Sequence, residues 1–192
     1  MHHLRVLATL LLGLLLVAGC SSEPVTEAQD PTVETPTTDD PSDDADRPRD
    51  SGTKSETVEV PETLTFTGTT VGGEPFDGAS LAGRPTLLWF WAPWCPTCRS
   101  QIPQVEGLAS QYGDQLNVVG VGSLDSAEAI AGFADDVDGV THLEDTEGEL
   151  WKRFGVTEQS SFVLLDADGA VAYEAGYGGS GELDAQVDAV LG

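Results

Sequence analysis

The chain has 192 residues, and its 33 acidic against 8 basic side chains give a formal net charge of −25. That length holds one ordinary domain with extensions and is too short for two. A surplus of this sign argues against nucleic acid or anionic lipid as partners, because both are gripped through Lys and Arg. The three cysteines, Cys20, Cys95 and Cys98, are too few for a disulfide-stapled mini-fold. With His142 the only histidine after His3, they are also too few for a four-ligand zinc site. No metal and no cofactor is expected.

Residues 1–5 carry Arg5, and residues 6–18 form a nearly unbroken apolar run of 13 residues. A bilayer crossing needs about 20, so the run suits the core of an export signal. It ends in Val17-Ala18-Gly19-Cys20 followed by Ser21-Ser22, which resembles a bacterial lipobox. Residues 1–19 therefore read as a lipoprotein signal peptide. Cys20 is then the lipidated first residue of a mature, extracytoplasmic protein anchored to the cell membrane. Residues 20–62 follow as an acidic, Thr/Pro-rich linker, with 13 acidic and 3 basic residues and few apolar ones. Such a segment cannot bury enough surface to offset its ordering entropy, so a disordered tether is expected. Residues 63–192 remain for one folded domain.

Within that domain, residues 64–66 alternate apolar with Thr, and Gly72-Gly73-Glu74-Pro75 is a turn signal, which together predict an N-terminal hairpin. Residues 86–91 (Thr-Leu-Leu-Trp-Phe-Trp) predict a strand buried on both faces. Residues 96–112 have helical spacing in Ile102, Val105, Leu108 and Ala109, and stop at Gly113. A buried strand over 116–121, a helix over 126–133 and a shorter helix over 148–154 come next. Strands over 162–165 and 171–173 are joined by Asp166-Ala167-Asp168-Gly169, and an amphipathic helix over 183–191 closes the chain. A βαβ half followed by a hairpin and a helix predicts an α/β fold, a central mixed sheet flanked by helices.

The chemistry lies in Trp94-Cys95-Pro96-Thr97-Cys98. The pair follows a buried strand and opens a helix, where unpaired N–H groups and the positive end of the macrodipole favour a thiolate. Pro96 suits the first helical position, where its missing N–H costs nothing. Cys95 then sits at the N-cap, exposed at the end of the strand, with Cys98 one turn inward. Two sulfurs at this spacing can perform disulfide exchange, Cys95 attacking and Cys98 resolving. Three blander readings are weaker. Half a zinc knuckle lacks its other half, a disulfide closing so short a loop stabilises little, and a peroxidatic cysteine would follow Thr or Ser where Ala92 stands.

Residues 90–99, Phe-Trp-Ala-Pro-Trp-Cys-Pro-Thr-Cys-Arg, with Pro103 after them, resemble the active-site stretch of thioredoxin-fold proteins. Gly83-Arg84-Pro85, Val118-Val119-Gly120-Val121 and residues 148–156 leading into 162–169 are similar to the TlpA/ResA-like redoxins. The resemblance spans about residues 64–191. It implies an exported thiol–disulfide oxidoreductase with a central βα insertion, here residues 122–146. Exported protein thiols and disulfides would be its substrates, and a membrane redox partner would recycle the cysteine pair. A monomer is expected.

Three positions depart from that pattern. Where the resemblance places a cis-proline opposite the cysteines, this chain has Ser160 (or its neighbour Ser161). A buried Asp and a Glu that would carry protons to the inner thiol are replaced by Trp89 and Gln101. Their loss leans the expectation from reductase towards oxidase. Trp94 reads as an apolar lip of the site, Trp91 as core, Arg99 as a solvated helix position and His142 as a partly buried polar residue. The competing function is a tethered copper-delivery or redox-sensing module on the same fold, and a solute-binding lipoprotein would need a second lobe.

Overall fold

A computed structural model describes residues 59–192, so the expected signal peptide, Cys20 and nearly all of the acidic linker lie outside the described residues. A 3-10 turn at Glu62–Leu64 buries Leu64 and leads into a hairpin of β1 (Thr67–Thr70) and β2 (Pro75–Asp77). The turn closes at Gly73, whose φ of +84° needs a residue without Cβ, and its N–H donates to the Thr70 carbonyl at 2.8 Å. There follow β3 (Thr86–Trp91), α1 (Pro96–Tyr112), β4 (Asn117–Gly122) and α2 (Ala127–Ala134). The rest of the domain is β5 (Thr141–Glu144), α3 (Glu149–Arg153), β6 (Ser161–Leu165), β7 (Val171–Ala175) and α4 (Leu183–Leu191).

Among the described residues, one seven-stranded mixed sheet runs β2-β1-β5-β4-β3-β6-β7. The inner strands β3, β4 and β5 are parallel, while β6 pairs antiparallel with β3, and β1 with β5. Every residue of β3 and β4 is buried. On one face Leu87, Trp89 and Trp91 pack against Val105 and Leu108 of α1, Phe133 of α2 and Val187 of α4. On the other, Leu88 and Phe90 meet Leu64, Val121 and Trp151. Both faces of β3 are dry, which explains why its sequence is continuously apolar rather than alternating.

Helix ends follow local chemistry. The Ser126 hydroxyl accepts the Ala129 N–H at 3.3 Å and caps α2. The buried Asp145 carboxylate accepts the N–H groups of Glu149, Leu150 and Trp151 and so fixes the start of α3. Strand β5 was not among the elements expected in chain order. Its sequence, Thr-His-Leu-Glu, has little strand character of its own, and it forms because β4 and β1 flank it. Together α2 and β5 make up the insertion expected at 122–146.

His142 is a correction to the reading of a partly buried residue, since only 5 % of it is exposed. Its ring stands edge-on to Trp91, whose indole in turn stacks on Phe133 at 4.2 Å between centroids. Gly120 makes room for it: a Cβ there would lie 2.2 Å from His142 Nδ1 and 2.8 Å from Trp91 Nε1. Among the described residues neither ring nitrogen of His142 has a hydrogen-bond partner. Burial alone pulls its pKa down to about 4, so the ring is neutral.

Candidate active site

Strand β3 delivers the chain to Ala92, where the Cys95 N–H donates to the Ala92 carbonyl at 3.1 Å and closes the turn into α1. Cys95 is the N-cap and Pro96 begins the helix. The Cys95 sulfur accepts the Cys98 N–H at 3.2 Å, taking the place of the usual Ser or Asp oxygen. Both cysteines are free thiols. The expectation that Cys95 is exposed is corrected: it is only 1 % exposed and Cys98 is fully buried. A residue from the other end of the sequence covers them.

That residue is Ser160, fully buried, with its hydroxyl oxygen 3.2 Å from the Cys95 sulfur and 3.2 Å from the Cys98 sulfur. Its φ is +63°, in the left-handed region that non-glycine residues seldom occupy. Proline, which the resemblance places at this point, has a ring that holds φ near about −65° and could not adopt this geometry. Among the described residues the other non-glycine at positive φ is Leu124, and it also borders the site. Its carbonyl accepts the indole N–H of Trp94 at 3.2 Å.

The two sulfurs differ electrostatically. Burial pushes the Cys95 thiol up, but hydrogen bonds from the Cys98 thiol, the Ser160 hydroxyl and the backbone N–H groups of Cys98 and Thr97 outweigh it. Its pKa ends below the ordinary thiol value. Deeper burial, reinforced by the hydrogen bond and the charge of Cys95, pushes the Cys98 thiol up to about 11. The two thiols are thus shifted in opposite directions, Cys95 down and Cys98 up.

The two positions without acids face each other. The Trp89 indole N–H donates to Gln101 Oε1 at 2.9 Å, and Gln101 Nε2 donates to the Ser160 carbonyl at 3.2 Å. Around the cysteines the surface is apolar. Trp94, Leu124 and Tyr177 are each about half exposed, and the Tyr177 and Thr97 hydroxyls are 2.8 Å apart. Arg99 pairs with Asp136 at 3.1 Å and lies 4.9 Å over the Phe133 ring, tying α1 to the end of α2. Exposed pairs of this kind contribute about 0–1 kcal/mol.

Cys95, Pro96, Thr97, Cys98 and Ser160 thus come together, and Trp94 stands at their rim. Sequence reasoning passed over Leu124 and Tyr177 and saw in Gln101 only a missing acid. The signals were present: Gln101 lies three residues after Cys98 on the same helical face, and Tyr177 is an aromatic among the glycines of a loop.

The Redoxin family description matches residues 55–191. The soluble secreted antigen MPT53 of Mycobacterium tuberculosis is 38% identical over 117 residues, covering 60% of this chain and 67% of that protein. The thiol-disulfide oxidoreductase ResA of Bacillus thuringiensis is 26% identical over 125 residues, covering 64% of this chain and 72% of ResA. Among solved structures, Mycobacterium tuberculosis DsbF in mixed oxidised and reduced forms superposes with a TM-score of 0.63 at 39% identity. That match covers 69% of this chain and 99% of DsbF. A secreted Mycobacterium tuberculosis disulfide oxidoreductase homologous to E. coli DsbE gives 0.60 at 36% identity, covering 67% and 98%. With two thiols of opposite character on a thioredoxin-like sheet, the chain belongs to the Redoxin family and is an extracytoplasmic thiol–disulfide oxidoreductase.

Proposed function

We propose that the protein donates its Cys95–Cys98 disulfide to exported proteins from a lipid anchor on Cys20. A substrate thiolate attacks the Cys95 sulfur and breaks the S–S bond, and Cys98 leaves as a thiolate. With a pKa of about 11, Cys98 then takes a proton from solvent. A second substrate thiolate attacks the mixed disulfide and expels Cys95, which its hydrogen-bond donors stabilise as the leaving group. The substrate loses two electrons and the cysteine pair gains them; the substrate thiols release their protons to solvent, and Cys98 takes one back. In the reverse direction Cys95 attacks a substrate disulfide and Cys98 resolves the mixed species.

The observation that carries the direction is the downward shift at Cys95. Stabilising that thiolate stabilises the reduced pair and makes the disulfide a stronger oxidant. Equilibration of the protein with glutathione buffers should give a reduction potential above about −200 mV. A value near about −270 mV would make the protein a reductant and overturn the direction while leaving the exchange chemistry in place. A disulfide donor that turns over needs an oxidant to restore it, and an anchored protein would meet one in a membrane redox partner.

The anchor has its own test. Cys20→Ala should leave export intact and move the protein from the membrane fraction into the medium or periplasm. If the variant stays in the membrane pellet, the lipid on Cys20 is not what holds it.

A further inference from the structure

We propose that Gln101 is a positioning residue for the exchange reaction: its amide bridges Trp89 and the Ser160 carbonyl and thereby holds the Ser160 hydroxyl against both sulfurs. The proposal rests on the reading of Cys95 as the attacking thiol. Gln101 is 3 % exposed and shares one stripe of α1 with the buried Cys98, Val105 and Leu108. The Trp89 indole is a donor only, so it can face the Gln101 oxygen and not the amide nitrogen. That contact settles which way the amide is turned and leaves Nε2 facing the Ser160 carbonyl. The same carbonyl accepts the Gly178 N–H at 3.1 Å from the loop between β7 and α4. Two donors therefore grip one peptide group whose residue sits at φ +63°.

Without the amide, one of those restraints is lost and Ser160 can relax towards the conformations that L residues prefer. Its hydroxyl then moves away from the sulfurs and the Cys95 thiolate loses a donor. A carboxylate at position 101 could accept from Trp89, but its second oxygen would repel the Ser160 carbonyl. Only the neutral acid has a proton to donate there. The other titratable groups beside this contact are the two thiols, which meet the Ser160 hydroxyl, and His142, whose ring stands edge-on to Trp89 at 6.3 Å between centroids and is neutral over this pH range.

The test compares full-length wild type with Gln101→Leu, Gln101→Glu and Trp89→Phe, all reduced. Iodoacetamide alkylation rates are followed against pH, with the modified cysteine identified by mass spectrometry. Gln101→Leu should slow Cys95 alkylation about fivefold near neutral pH, the size of one hydrogen bond, and shift the glutathione equilibrium towards the protein disulfide by a similar factor. Gln101→Glu should match wild type near about pH 5.5 and fall to the Leu variant's relative rate by about pH 8.5, a pH response that packing alone would not produce. Trp89→Phe, which removes the orienting donor together with part of a buried ring, should slow alkylation as well and serves as a second variant if the Leu variant does not fold. Folded variants that keep the wild-type rates and equilibrium at every pH would overturn the role of Gln101. Alkylation of wild type at Cys98 instead of Cys95 would overturn the underlying reading, and the proposal with it.

Discussion

Cys95→Ser should abolish disulfide exchange, and Cys98→Ser should stall it as a mixed disulfide through Cys95. A serine hydroxyl is not ionised near neutrality and its oxygen does not form the S–O analogue of the exchange, so the first variant should lose at least about a thousandfold in rate. The second keeps a reactive sulfur whose hydrogen-bond donors include the Cys98 and Thr97 N–H groups and the Ser160 hydroxyl. It lacks the neighbour that would release the substrate. Non-reducing gels and mass spectrometry of proteins captured by each variant give the answer. Equal capture through Cys98 in the Cys95→Ser variant would overturn the assignment of the two roles.

Acid should weaken the fold through His142 by about 3 kcal/mol, the free-energy equivalent of a pKa of about 4 in the fold against about 6.5 in the unfolded chain. The sign follows from where the proton goes. Between these two values the unfolded chain binds a proton at His142 and the folded one does not. Stability from this group is therefore full above about pH 6.5, declines as the pH falls, and has gone by about pH 4. The many acidic side chains act in the opposite sense, since protonation relieves their mutual repulsion. The informative quantity is therefore the difference between wild type and His142→Leu in denaturant unfolding across this range. The variant should lack the His142 share of the slope. Parallel pH profiles would show that the ring is solvated in the folded state.

Much of the domain was legible because its signals are local. The bounds of α1 come from Pro96 at one end and Gly113 at the other, and those of β3 from six consecutive residues with no polar side chain except Thr86. The junction of that strand and that helix locates the cysteine pair without reference to any distant residue. Strand β5 was not legible, because Thr-His-Leu-Glu pairs only where β4 and β1 supply edges. The burial of His142 was missed for the same reason: it depends on Gly120, the residue across the ladder, having no side chain.

By itself the sequence determined the acidic character of the chain, the export-like N-terminus, the alternation of strands and helices and the reactive Cys-Pro-Thr-Cys motif. Each depends on composition or on neighbours within a turn or two of chain. Tertiary structure decided how that motif is dressed. Ser160 lies 62 residues beyond Cys98, and nothing within its own segment indicates a left-handed backbone or a hydroxyl shared between two sulfurs. Trp89 and Gln101 looked like two separate losses of an acid until the packing of β3 against α1 made them donor and acceptor of one hydrogen bond. A buried polar group must find a partner wherever the chain brings one within reach. Which partner that is depends on the folded arrangement, and periodicity along the chain carries no record of it.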